Sequence, residues 1–281
     1  MPDSRALGAI GKKPRWPDRA ALRFDFAVGK SGCPFRFWVT PAEVDCYRPQ
    51  PVIPEFSGAG TKMGDPIELQ ANDLAAMLCS KICHDLINPV GAINNGLQAL
   101  EDPGQAEMAD LARQMVSNAS KQALAKLEYA RLAYGASSTA GTEFDTRECE
   151  KVARILFDIE KADLDWGITP VFLPKNKAKL MMNMLLIAIS AVPRGGRITV
   201  NLVGEAGREA IEIVATSDPE QKQRTFLPQG VQELLAGTPE GGVEARNIQP
   251  FYTGLLARMS GMSVSAAIDG ERFDITAVPA G

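Results

Sequence analysis

Apolar residues recur at helical spacing through the second quarter of the chain. Leu74, Leu78, Ile82, Leu86, Val90, Ile93, Leu97 and Leu100 follow one another in steps of three and four. Such a series lines one face of an α-helix. The helix is expected to open at Asp65-Pro66, where proline suits a first turn, or slightly later with Asn72 or Asp73 as its cap. Asp102-Pro103-Gly104 breaks it with turn chemistry. A second helix is predicted from Gln105 to Tyr134, its apolar positions being Met108, Leu111, Met115, Leu124, Leu127 and Tyr134. Gly135 is a natural end, and Ser137-Ser138-Thr139-Ala140-Gly141 reads as a linker. Two long helices across a tight turn form an antiparallel hairpin. Such a hairpin leaves apolar surface bare, so a homodimer closing a four-helix bundle is expected.

Beyond the linker the pattern mixes both periods. A helix fits Thr146 to Ala162, a strand Thr169 to Leu173, and a strongly apolar helix Lys177 to Ala191. Arg197–Val203 and Glu209–Ala215 alternate as strands, and a further helix is expected from Pro250 to Met259. Ser263–Ile268 and Arg272–Ala277 pair across Asp269-Gly270, a strong hairpin signal. This predicts an antiparallel or mixed sheet with helices on one face. The expected organisation is an extension over 1–64, poorly ordered or outside the core, a helical hairpin over 65–135 and an α/β domain over 142–281. The fold class is therefore α followed by α/β.

Composition narrows the function. Among 281 residues the net charge is -4, which argues against a nucleic-acid surface. The first 62 residues carry ten Lys and Arg against six Asp and Glu, and the remainder 20 against 28, so the extension differs in charge from the rest. No apolar run is long enough to span a bilayer, and no signal-like segment opens the chain, so a cytoplasmic protein is expected. Cys33, Cys46, Cys79, Cys83 and Cys149 make an odd, irregular set, read as small buried thiols in a reducing compartment. The single histidine, His84, excludes mechanisms that need two imidazoles from one subunit.

Around the first helix, at about 100° per residue from Leu74, the apolar positions average roughly 90° while His84 falls near 280°. The histidine points away from the seam, with Lys81, Asn88 and Asn95 within about 60° of it. An exposed imidazole in water is largely neutral near pH 7, and its free nitrogen is a competent nucleophile toward an activated phosphoryl group. Asp85 is a candidate to orient the ring or act as a base, or is merely a solvated charge. Asn88, one turn on, could position a water or a partner's side chain. Pro89 removes one backbone donor just past the histidine.

His84-Asp85-Leu86-Ile87-Asn88-Pro89 resembles the motif of the histidine-kinase dimerisation and phosphotransfer hairpin. The longer run from Lys81 to Leu97, with Arg131-Leu-Ala-Tyr-Gly135, is similar to the ChpT-type alphaproteobacterial histidine phosphotransferases. The resemblance covers residues 65–281. It implies that the second domain is a degenerate Bergerat, histidine-kinase ATPase-like, α/β sandwich. Anchored on Gly195-Gly196-Arg197, the family's magnesium-binding Asn-Ala is replaced by Ile187-Ala188, and isoleucine offers no oxygen to Mg²⁺. The adenine-reading loop becomes Ala215-Thr-Ser-Asp-Pro-Glu-Gln221 without its glycines, and Phe251-Tyr-Thr-Gly254 retains one glycine of the phosphate loop.

The resemblance thus implies a phosphoryl shuttle through His84 between receiver-domain aspartates in a bacterial phosphorelay, without ATP. Asp85 and Asn88 would assist, and Lys81, Gly91 and Asn95 would line the docking face. No cofactor of its own is expected, Mg²⁺ being supplied in the partner receiver. Implied partners are the receiver of a CckA-like hybrid kinase and the CtrA-like and CpdR-like response regulators, with no nucleic acid or membrane. An ATP-dependent histidine kinase with an atypical site, or a receiver-binding scaffold without catalysis, are the alternatives.

Overall fold

The computed structural model describes residues 66–135, 143–218 and 224–280. The expected extension over 1–64 and the linker at 137–141 lie outside them. Helix α1 spans Ala71–Glu101, a 3₁₀ segment Pro103–Met108, and α2 Ala109–Ala133. The first helix starts later than Pro66. Residues 66–70 instead lie outside any helix or strand, held where Ile67 N–H donates to the Gly237 carbonyl at 2.8 Å. The turn closes where Gly104 N–H donates to Asp102 Oδ1 at 2.9 Å.

The hairpin seam differs from the expected apolar stripe. Against α2 lie Pro89 and Gly96, the buried residues of α1, while Ile87, Val90 and Leu97 are exposed. The reason is steric. A Cβ on Gly96 would stand 2.5 Å from Val116 Cγ2, so the helices approach where a side chain is missing. Cys79, Cys83, Ile87, Val90 and Leu97 fall within about 80° of one another around α1. They form an outward stripe with the exposed Leu124 and Leu127 of α2. Cys79 and Cys83 are therefore exposed, not buried as expected, whereas Cys149 is buried.

Next come β1 (Glu143–Asp145), α3 (Thr146–Phe157), β2 (Ala162–Trp166), β3 (Phe172–Pro174) and α4 (Lys175–Ala191). Asp145 caps α3, accepting from Arg147 N–H at 2.9 Å, and Arg147 holds the Asp145 carboxyl below its ordinary range. The expected helix to Ala162 stops at Phe157 because Ala162, Leu164 and Trp166 alternate inward against outward Asp163 and Asp165. Then follow β4 (Gly196–Val203), β5 (Ala210–Ser217), α5 (Val231–Ala236), α6 (Ile248–Met259), β6 (Met262–Asp269) and β7 (Arg272–Pro279). Five strands form one sheet in the order β2-β4-β5-β7-β6, with β2 parallel to β4 and the other pairs antiparallel, while β1 pairs with β3 separately.

One face of that sheet is the core. Ile198, Val200, Ile211, Ile213, Ala215, Phe273, Ile275 and Ala277 are fully buried, joined by Leu180, Met181, Met184 and Leu185 of α4. Intervening positions such as Arg197 and Val203 face outward, giving the period of two expected for a half-covered sheet. The same core runs into the end of α2 through Tyr129, Leu132 and Ala133. Polar bonds lock that junction. Tyr129 donates to the Met182 carbonyl at 2.7 Å, and Asn183 Nδ2 donates to the Ala133 carbonyl at 3.0 Å.

Candidate phosphotransfer site

His84 sits in the middle of α1 with its side chain 82% exposed. Its Nδ1 stands 3.6 Å from Asp85 Oδ1, past hydrogen-bond reach but on the carboxylate side of the ring. Asp85 is not free to serve the imidazole alone. Its Oδ2 accepts from Lys81 Nζ, one turn earlier on the same helix, in a close ion pair. The carboxylate is about one-third exposed and Lys81 less so. Its negative field reaches the end of α2, where Tyr134's hydroxyl is pushed up first by burial and then by Asp85. Among the described residues, that hydroxyl is the buried side-chain polar atom left without a hydrogen-bond partner. Its ring packs on Tyr252 at 5.9 Å between centroids.

The other residues singled out by the sequence flank the histidine unevenly. Asn88 and Asn95 are exposed, and Gly91 is half-buried with open space where a Cβ would stand. Lys81 is half-buried and already occupied by Asp85, so it faces the ring's neighbourhood without being a loose surface charge. A residue that the sequence reasoning passed over also reaches this turn. Lys126 of α2 donates to the Asp85 carbonyl, Nζ to O being 3.5 Å. Its signal was positional, because Asp85 precedes the connecting segment Pro103–Met108 by as many residues as Lys126 follows it, so an antiparallel hairpin sets them side by side.

The positions that would carry a nucleotide in the kinase pattern have other work. Ile187 is buried in the core. Asn183, one turn earlier, is wholly buried and donates to the Ala133 and Lys179 carbonyls, while the Asn183 carbonyl accepts from Gln249 Nε2 at 2.8 Å. Gly254 is small because a Cβ there would strike the Leu235 carbonyl, so it serves the α5–α6 contact. Among the described residues no group of three or more His, Cys, Asp and Glu is placed to hold a metal ion, and no helix is long and apolar enough to cross a membrane.

Comparison with known proteins points the same way as the motif. The family model for the histidine phosphotransferase C-terminal domain matches residues 146–272. The protein phosphotransferase ChpT of Brucella abortus is 43% identical over 204 residues, covering 72% of this chain and 94% of that protein. The 1.7 Å structure of a bacterial phosphotransferase is 40% identical, covers 75% of this chain and 98% of its own, and superposes with a TM-score of 0.68. The Acinetobacter baumannii histidine kinase AdeS, at 13% identity and a TM-score of 0.37 over 70% of this chain and 98% of that one, is too distant to carry an argument.

Proposed function

Since the chain belongs to the ChpT family of histidine phosphotransferases, which act in phosphorelays, we propose that His84 is its phosphoryl carrier. The observation that supports this is the placement of the only histidine, exposed on α1, with Nδ1 on the side of the Asp85 carboxylate. In the forward step the Nε2 lone pair attacks the phosphorus of a receiver's aspartyl phosphate. The N–P bond forms, the acyl P–O bond breaks, and the carboxylate leaves with the electron pair. The ring keeps its Nδ1 proton and becomes cationic beside Asp85, whose carboxylate offsets that charge. The second receiver's aspartate reverses the sequence. Both phosphoryl groups are activated, so transfer needs alignment more than a large lowering of the barrier.

In this reading the partners are receiver domains, that of a CckA-like hybrid kinase as donor and those of CtrA-like and CpdR-like regulators as acceptors. The Mg²⁺ of the reaction belongs to the receiver's acidic pocket. Asn88, Gly91 and Asn95 form the docking face beside His84. The chain works without ATP, a reading supported by the core position of Ile187 and the internal bonding of Asn183. A homodimer is supported by the outward stripe of Ile87, Val90, Leu97, Leu124 and Leu127, which a second hairpin would cover as a four-helix bundle.

The test is to mix the full chain with a phosphorylated receiver. Label on the wild type that is acid-labile and base-stable, and absent from His84→Ala, is expected; a wild type that takes no label overturns the reading. Light scattering should return the mass of two chains, and Leu124→Glu should shift it toward one.

A further inference from the structure

Pro89 has no N–H, so the Asp85 carbonyl four residues earlier loses the donor that an α-helix would give it. The donor that reaches this carbonyl comes from the other helix, Lys126 Nζ. Lys126 is half-buried, and its ammonium stands 3.5 Å from that carbonyl oxygen, a long contact whose charge lets it act at that distance. Asp85 is thus gripped twice, at its carboxylate by Lys81 from within α1 and at its backbone by Lys126 from α2. The residue so gripped directly follows His84, and Pro89, which leaves its carbonyl open, lies buried in the seam facing α2.

We propose that Lys126 is a positioning residue for phosphoryl transfer. Through the carbonyl that Pro89 leaves open, it ties the histidine-bearing turn of α1 to α2 and holds Nε2 in one orientation toward the incoming phosphorus. An untied turn at a proline would lose a backbone bond next to the nucleophile, and small misalignments of reacting atoms slow transfer steeply. The inference rests on the phosphotransfer reading above.

The experiment measures single-turnover transfer from an isolated receiver domain, phosphorylated chemically, to the full-length chain over a range of receiver concentrations. Lys126→Met keeps the apolar stem and removes the charge. It should lower the saturating rate about tenfold and leave the half-saturating receiver concentration within about twofold, as expected when alignment rather than docking is lost. Lys126→Arg should recover most of the rate. Pro89→Ala restores a backbone N–H that occupies the Asp85 carbonyl, so Lys126→Met added to that background should cost little. Thermal melts confirm that each variant is folded. An unchanged rate in Lys126→Met, or an equal loss with and without Pro89→Ala, overturns the inference and leaves His84 phosphorylation standing. A wild type that accepts no phosphate overturns both.

Discussion

Lys81 and Asp85, one turn apart on α1, are joined side chain to side chain, so the carboxylate beside His84 is already paired with a cation. With the other oxygen 3.6 Å from Nδ1, the imidazole has an anionic neighbour whose pull is shared with a lysine. Asp85 thus stands between a lysine on one oxygen and the imidazole on the other.

Removing the lysine leaves that carboxylate without its partner. In Lys81→Met the turn that carries His84 loses the ion pair that fixes Asp85, and phosphate uptake should slow. The check is the initial uptake rate of wild type and variant from the same phosphorylated receiver; equal rates would refute a role for the pair.

Gly91 and Gly96 should respond oppositely to the same change. A Cβ at Gly91 meets nothing within 4 Å, so Gly91→Ala brings only the helix gain of about 1 kcal/mol over glycine. Its melting temperature should rise by about 2 °C or more. Transfer should nevertheless slow, since the added methyl stands on the proposed docking face.

At Gly96 the methyl meets Val116 Cγ2 at 2.5 Å and the Ala112 carbonyl at 3.2 Å. Overpacking of that kind costs about 1–3 kcal/mol and exceeds the helix gain. Gly96→Ala should therefore melt below the wild type in calorimetry and loosen the hairpin.

Glu209 supplies an acid-sensitive contact far from the site. Its carboxylate pairs with the buried Lys177 at 2.7 Å and accepts from Gly207 N–H, and the Lys177 bond holds its pKa below the ordinary 4.5. A carboxyl depressed in the folded state contributes stability that is present above its unfolded value and lost as pH falls through the folded one. Denaturant midpoints should therefore drop on acidification below about pH 4.5 in the wild type. Glu209→Gln should be less stable at neutral pH and flatter in that window.

Much of the site was legible because it is local. The periodicity of α1 turned His84 away from the apolar face, and the structure finds that side chain open to solvent. Short elements were less legible: β1 has three residues and α5 six, too few to show a period, and the strand read over Thr169–Leu173 is β3 at Phe172–Pro174. The strand Ala162–Trp166 was left unread, the preceding helix being carried to Ala162 across an end that no proline or glycine marks.

What the sequence by itself determined is what a single helix turn or strand pair decides: the hairpin, the direction of His84 and the β6–β7 turn. Tertiary structure alone decided which apolar residues meet α2 and which stay outside. Val90 and Leu97 read as seam, but the close approach at Gly96 turned the helix so that Pro89 and Gly96 face inward. A helix with two neighbours carries an apolar arc wider than either contact, and periodicity cannot divide it. The same holds for Lys126. Its bond to the Asp85 carbonyl needs an acceptor left open by Pro89 on one helix and a cation brought level by the antiparallel register of the other, and no local pattern joins the two.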